Sequence, residues 1–181
     1  MPSLPPLTAE GLLPSGDYSL TIVELAASEL VLGWQGGRVW DAPWRAQLVA
    51  NLAIMFDHLW RVGVRDVFIN GSFVENKPHP NDIDGYFVCD RDFCLSGELE
   101  RQLQAIDSVW TWDPASRYPP PTGGKRQLPM WHKYRVELFP HIGQFTGIVD
   151  QFGYELEFPS AFRQSRSFLP KGIVKLIGGT Q

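Results

Sequence analysis

The chain has little cysteine, little histidine and no long apolar run. It contains 2 cysteines, Cys89 and Cys94, and 4 histidines in 181 residues. Two cysteines this close together, with no second pair, provide neither a disulfide framework nor a zinc site. No two histidines share a spacing typical of a metal site. We therefore expect two free thiols and histidines with structural roles, the alternative being contact of His79 and His132 with a substrate.

No stretch approaches the roughly 20 consecutive apolar residues that a membrane span requires. The first residues, Met1 to Pro6, lack the basic and apolar regions of a secretory signal peptide. We therefore expect a soluble, cytoplasmic protein with no membrane contact. The length and the 44% hydrophobic content predict a single domain spanning residues 1–181, with an extended arm rich in proline and glycine at 1–18.

Acidic residues are missing from two stretches, 116–136 and 163–181, in a chain whose net charge is −4. If both stretches fold toward one site, they would give an anionic substrate a positive approach. The alternative is two solvated surfaces, which is the usual meaning of a charge run. The basic residues of the two stretches are Arg117, Lys125, Arg126, Lys133 and Arg135 in the first, and Arg163, Arg166, Lys171 and Lys175 in the second.

The apolar residues recur with the period of a helix in some stretches of the chain and with the period of a strand in others. The clearest helix begins at Asp41 as N-cap, has Pro43 in its first turn and closes near Gly63. A second helix is predicted over 96–106 with Ser96 as its N-cap. Strands are predicted at 64–70, 82–89, 109–112, 133–140 and 172–177, the last as an added edge of the sheet with Lys171 and Lys175 on it. The fold class predicted is α+β, a mixed β-sheet flanked by α-helices.

Between the third and fourth of these strands lies a stretch, 113–129, that is too rich in proline and glycine for regular structure. A loop of this length inside a compact domain is usually functional or mobile. We expect it to be poorly ordered without ligand.

The central stretch, from Val67 to Val88, carries the residues with the clearest chemistry. Asp82 and Asp84 alternate along a predicted strand and so project from the same face, where two carboxylates repel each other unless a cation lies between them. Mg²⁺ takes such oxygen ligands and keeps positions open for substrate phosphates. Gly71 allows close approach of the backbone to a ligand, and Ser72 provides a hydroxyl and an N–H suited to a phosphate. A hairpin whose loop is closed by Asp82 is the structural alternative.

This stretch resembles the signature of the nucleotidyltransferase superfamily, whose fold is that of DNA polymerase beta and of the minimal nucleotidyltransferases of toxin–antitoxin systems. The signature is Gly-Ser, about nine to thirteen residues, then Asp-x-Asp between hydrophobic residues. Here Gly71-Ser72 is followed by nine residues and Asp82-Ile83-Asp84, while Asn70 and Gly85 stand where hydrophobic residues are usual. Segments near both ends also resemble a family of small, largely uncharacterised bacterial nucleotidyltransferase-like proteins.

The resemblance implies a third carboxylate on a neighbouring strand, and Glu137 is the best candidate, the alternative being a strand residue paired with Arg135 or Lys133. It implies that Asp82, Asp84 and Glu137 bind Mg²⁺ or Mn²⁺ and that Gly71 and Ser72, with Lys77, hold an NTP. The expected reaction moves a nucleoside monophosphate to an RNA acceptor, tRNA included, or to a protein, within a toxin–antitoxin or defence system and with a cognate partner. A non-catalytic protein that binds a nucleotide or a partner on the same fold is the alternative.

Overall fold

The computed structural model describes residues 4–34 and 39–178. It has an α+β fold in which a five-stranded mixed sheet is accompanied by a separate two-stranded hairpin and by helices. The strands are β1 Asp17–Leu20, β2 Asp66–Asn70, β3 Ile83–Val88, β4 Val136–His141, β5 Phe145–Val149, β6 Glu155–Glu157 and β7 Ile173–Leu176. The α-helices are α1 Ile22–Ala26, α2 Glu29–Leu32, α3 Ala42–Arg61, α4 Arg91–Leu95, α5 Glu98–Ile106, α6 Pro129–Tyr134 and α7 Phe158–Ala161, and 3-10 turns span Gly71–Val74 and Pro114–Ser116.

The five strands of the main sheet lie in the order β1-β7-β2-β3-β4. The β2 strand runs antiparallel to both of its neighbours, whereas β3 and β4 are parallel to each other. The parallel pair places Asp84 opposite Glu137. The carboxylates of two strands that lie 53 residues apart in sequence thereby become neighbours on one face of the sheet.

One face of this sheet is apolar and forms the main core. Its residues alternate along each strand, for example Val67 and Ile69 on β2 and Val136 and Leu138 on β4, all of them fully buried. The long helix α3 packs against them with Leu52 and its other apolar residues. The helix begins as predicted, because the Asp41 carboxylate accepts the N–H of Trp44 and a proline occupies the first turn.

The opposite face carries Asp84, Glu137 and the aromatic residues that follow them on β3 and β4. Tyr86 stacks on Phe68 and lies beside Phe158 and Phe162, which cover this end of the face from helix α7 and just beyond it. Tyr86 is therefore buried, whereas Asp84 is only half-buried. The covered aromatic end and the more open carboxylate end lie two residues apart on the same strand.

Several predicted elements are wrong in detail. Val109 and Trp110 are buried without being part of a strand, since Trp110 packs into the core and donates its Nε1–H to His58. Ser96 ends helix α4, and Gly97 precedes α5 in its place. The predicted strand 133–140 begins only at Val136, because residues up to Tyr134 form helix α6.

The last strand also differs from its prediction. β7 lies between β1 and β2, not at an edge of the sheet. Lys171, just before β7, is buried, and Lys175, on β7, pairs with Asp66. Neither lysine therefore lies at an exposed edge of the sheet. Among the helices of residues 4–34 and 39–178, none is long and apolar enough to cross a membrane.

Candidate functional site

The site is built around the turn Gly71–Val74, which follows β2 directly. Gly71 has a φ of +68°, in the left-handed region that favours glycine. A Cβ at this position would collide with the Oδ2 atom of Asp84. Glycine is therefore required twice, by the backbone and by the carboxylate next to it, and the turn lies directly against Asp84.

The two departures from the hydrophobic pattern around the motif have structural reasons. Asn70 is buried, accepts the N–H of Gly71 at 2.7 Å and donates to the carbonyl of Gly172 at 3.0 Å. It thus links the turn to the segment leading into β7, which a hydrophobic side chain cannot do. At Gly85 a Cβ would meet the carbonyl of Phe68 and the side chain of Leu138, so this central strand has no room for a larger residue.

A buried arginine holds the outer side of the turn. Arg45, on α3, is fully buried and donates to the carbonyls of Leu30, Phe73 and Lys77, the last at 2.8 Å. Its guanidinium also lies 4.4 Å from the centroid of the Phe73 ring. Burial lowers the pKa of Arg45 to about 9, which leaves it charged at neutral pH. The loop from Phe73 to Lys77 is therefore fixed through its backbone to the long helix.

A buried lysine holds the inner side of the same turn. Lys171 is 4% exposed, pairs with the Glu75 carboxylate and donates to the carbonyl of Gly71 at 3.3 Å. Burial lowers its pKa, while Glu75 and Asp84 oppose this change. The positive charge of Lys171 thus lies close to the carboxylates of the site.

Asp82, Asp84 and Glu137 lie at the carboxylate end of the polar face, where Glu137 is buried and the two aspartates are half-buried. Asp84 and Glu137 are paired across β3 and β4, and Asp82 precedes β3 on the same side. The Oδ2 atom of Asp82 accepts the indole N–H of Trp131 at 2.7 Å. Glu137 accepts the N–H of Leu128 at 3.4 Å and lies 3.5 Å from the guanidinium of Arg117.

The pKa values of two carboxyl groups in this cluster, Asp84 and Glu137, are raised. Burial, together with repulsion by Asp82 and then Glu137, raises the pKa of Asp84 to about 7. Burial also raises the pKa of Glu137, against the opposing effects of Leu128 and Arg117. Both shifts arise first from burial, which disfavours the ionised carboxylates, and a bound cation would oppose this effect.

The donor chemistry fits a hard divalent cation, since it consists of carboxylate oxygens on one face. In the present side-chain arrangement, no three His, Cys, Asp or Glu side chains within residues 4–34 and 39–178 are grouped as metal ligands. Asp82 and Glu137 each accept a hydrogen bond from a protein donor in this arrangement, from Trp131 and Leu128. The residues fit the ion chemically without forming a closed cage for it.

The remaining predicted nucleotide ligands lie on the motif loop. Ser72 is half-buried within the turn, and its carbonyl accepts the N–H of Glu75. Lys77 is half-buried and binds Arg45 through its backbone carbonyl. Nearby, His79 stacks on Trp44 and pairs with Asp41 at 2.7 Å, so it stabilises the start of α3.

The basic stretches divide between the site and other surfaces. Arg117 and Lys171 contact residues of the site, and Lys125 is close enough to influence the pKa values of Asp84 and Glu137. Lys133, Arg163 and Lys175 pair instead with Asp107, Asp17 and Asp66. Part of each stretch thus lies at the carboxylate site, and part of each pairs with acidic residues elsewhere, while a positive approach for a substrate stays a prediction.

Sequence reasoning missed Arg45 and Trp131 as site-forming residues and misplaced Lys171. A basic residue inside the apolar period of helix α3 was the available signal for Arg45. Trp131 and Lys171 gave no local signal, because their partners Asp82 and Glu75 lie 49 and 96 residues away in sequence.

Comparison with known proteins gives a family without an assigned activity. No curated protein and no solved structure matches the chain. The family described as "Family of unknown function (DUF6932)" matches residues 5–177, nearly the whole length. The chain therefore belongs to this family of unknown function, DUF6932.

Proposed function

We propose that this protein is a metal-dependent nucleotidyltransferase that moves a nucleoside monophosphate from an NTP to an acceptor and releases pyrophosphate. The observation that carries the proposal is the pairing of Asp84 with Glu137 across β3 and β4, directly against the Gly71 turn. The Gly-Ser turn and the Asp-x-Asp strand of the superfamily signature are thus adjacent in space. The five-stranded mixed sheet is compatible with a nucleotidyltransferase-like fold.

Each residue has a role in this proposal. Asp82 and Asp84 would hold the nucleotide-bound Mg²⁺ or Mn²⁺, and Glu137 would hold a second ion. Gly71 and Ser72, with Lys77, would hold the triphosphate. Bound divalent ions supply positive charge to the attacking and leaving oxygens of an in-line displacement.

The reaction is a substitution at the α-phosphorus of the NTP. A bond forms between this phosphorus and the acceptor oxygen, which loses its proton, and the bond to the bridging oxygen breaks to release pyrophosphate. Lys171, held under the turn, adds fixed positive charge next to Asp84 and Gly71, where a phosphate would gather negative charge. We propose that the acceptor is RNA, tRNA included, or a protein. We also propose that the enzyme acts with a cognate partner protein in a toxin–antitoxin or defence system.

The test is label transfer from each of the four α-labelled NTPs with Mg²⁺, using total bacterial RNA and cell lysate as acceptors. We expect label on one acceptor class with the wild type and none with Asp82→Ala. Asp57→Ala, which removes an exposed carboxylate from α3, is the matched control and should transfer normally. Equal labelling by wild type and Asp82→Ala would refute the proposal.

A non-catalytic protein that binds a nucleotide or a partner is the second candidate. It is favoured by the contacts that engage Asp82 and Glu137 with Trp131 and Leu128. Calorimetric titration with ATP separates the two functions. The enzyme should bind ATP tightly only with Mg²⁺, and EDTA should abolish this binding. Binding that is independent of the ion, with no label transfer, would favour the non-catalytic protein.

A further inference from the structure

An exposed aromatic pair lies next to the carboxylate site and is not used by the proposed reaction. The rings of Tyr118 and His132 are stacked, with centroids 3.7 Å apart and planes 8° from parallel. His132 is held there by a 2.9 Å hydrogen bond between its Nε2 atom and the backbone carbonyl of Tyr118. Tyr118 is 46% exposed. The pair is therefore a fixed aromatic surface with one ring accessible to solvent.

This pair is connected to the site through a single residue. His132 lies beside Trp131 on α6, with ring centroids 5.2 Å apart in an edge-on arrangement. The indole of Trp131 donates to Asp82 at 2.7 Å. Three aromatic side chains, Tyr118, His132 and Trp131, would thus connect a ligand stacked on Tyr118 to a carboxylate of the site.

The loop that carries Tyr118 is basic and has internal structure. Tyr118 and Gln127 exchange two backbone hydrogen bonds, at 3.0 and 2.9 Å, which close the loop between them. Arg126 donates twice to the carbonyl of Arg117, at 2.8 and 2.6 Å, and its side chain remains exposed together with Lys125. From residue 114 to residue 136 the sequence has five basic residues and no acid.

We propose that Tyr118 and His132, with Lys125 and Arg126, form the binding site for a single-stranded nucleic acid. A nucleobase stacks on the open face of Tyr118, and the flanking phosphates contact the two basic side chains. An acidic peptide would be served by the charges alone and would have no use for a flat ring held parallel to a second one. The binding itself is independent of the proposed function, whereas the role of the bound strand as acceptor rests on it.

The experiment is fluorescence anisotropy with a labelled 12-nucleotide RNA and a DNA of the same sequence, in EDTA and without NTP. We expect binding of at least one strand, weakened about tenfold or more by Tyr118→Ala and changed no more than about twofold by Tyr118→Phe, which keeps the ring. Tyr154→Ala removes a tyrosine that is 72% exposed on another surface, and it should bind like the wild type.

The charged part of the site is tested by salt dependence. Loss of one phosphate contact in Lys125→Ala should reduce the slope of log K against log salt by about 0.7. Arg61→Ala, which removes an exposed charge at the end of α3, should leave the slope unchanged. Binding of neither strand, or equal binding by wild type and Tyr118→Ala, would overturn the proposal. Binding of ATP at Tyr118, with no affinity for either strand, would also overturn it.

The two proposals fail separately. The Asp82→Ala variant should bind the strand normally, because Asp82 does not contact Tyr118, His132, Lys125 or Arg126. Binding that depends on Tyr118, without label transfer in any assay, would reject the nucleotidyltransferase and retain the nucleic-acid site. Label transfer that is confined to protein acceptors, without strand binding, would retain the nucleotidyltransferase and reject the nucleic-acid site.

Discussion

The two faces of the central sheet are made by the same strands and have opposite properties. On β3, Ile83 and Phe87 point into a continuous apolar core, whereas Asp84 points to the opposite face, which carries the buried Glu137 and an aromatic cluster. Burial of the first face provides most of the free energy of folding. The second face keeps carboxylates close together at an energetic cost, which in natural proteins is a frequent property of functional sites.

The largest effect is expected on the core face. Phe87→Ala should lower the free energy of unfolding by about 3 to 5 kcal/mol, because it removes a fully buried ring and leaves a cavity. Val88→Ala, at a neighbouring position that is 42% exposed, should cost about 0.5 kcal/mol or less. Urea unfolding of both variants checks the difference, and equal losses would contradict the assignment of the faces.

The Gly71 turn should be the next most sensitive position. Gly71→Ala combines an unfavourable positive φ with a collision against Asp84, so we expect a loss of about 2 to 3 kcal/mol in stability. Gly123→Ala is a matched control, since its φ is +79° but a Cβ would have open space, and it should cost about 1 kcal/mol. Thermal unfolding measures both. A smaller loss for Gly71→Ala than for the control would rule out the close contact between turn and carboxylate.

The pH dependence of stability reports on the charge excess of the polar face. The folded-state pKa of Asp84, about 7, lies above that of the unfolded chain, so its ionised form destabilises the fold above pH 7 and this penalty disappears as pH falls toward 4. Asp84→Asn should therefore be more stable than the wild type at pH 8, by on the order of 1 to 3 kcal/mol, and the gain should vanish near pH 4.

Mg²⁺ at pH 8 provides the second half of this measurement. It should stabilise the wild type and have little effect on Asp84→Asn, because the ion binds the carboxylate that the variant lacks. Calorimetric melting at pH 4, 6 and 8 with and without the ion checks both statements. An unchanged difference between the two proteins across this range would show that Asp84 ionises normally.

The smallest effect is expected from releasing Asp82. Trp131→Phe removes the indole donor and should cost about 1 kcal/mol in stability. The freed carboxylate should then bind Mn²⁺ several-fold more tightly, as measured by calorimetric titration. Weaker Mn²⁺ binding in this variant would indicate that Trp131 orients Asp82 for the ion instead of competing with it.

The parts of the fold that could be predicted from the sequence are those specified by local chemistry. Helix α3 has a cap, a proline in its first turn and a continuous apolar stripe, and its boundaries agree with the prediction. The strands on either side of the motif were also placed within two residues. The site carboxylates were chosen from spacing and resemblance, and the pairing of β3 with β4 brings Asp84 and Glu137 to the same face.

The parts that could not be predicted depend on partners that are remote in sequence. Val109 and Trp110 have the composition of a strand, but they join neither edge strand of the sheet, β1 or β4, and fill the core instead. Lys171 resembles a surface lysine until β7 is inserted between β1 and β2, which carries it beneath the Gly71 turn. Strand order is a property of the whole sheet, and no local pattern encodes it.

Arg45 holds the backbone of the motif loop through the peptide carbonyls of Phe73 and Lys77, and its guanidinium also packs against the Phe73 ring. A carbonyl is the same group in every residue, so the hydrogen bond from Arg45 to Lys77 does not depend on the side chain at position 77. The side chain at position 77 could therefore change without loss of this hydrogen bond, whereas a lysine at position 45 has no planar fork with which to bind three carbonyls. A different side chain at position 77 could thus suit a different ligand while the backbone of the loop stays in place beside the carboxylates.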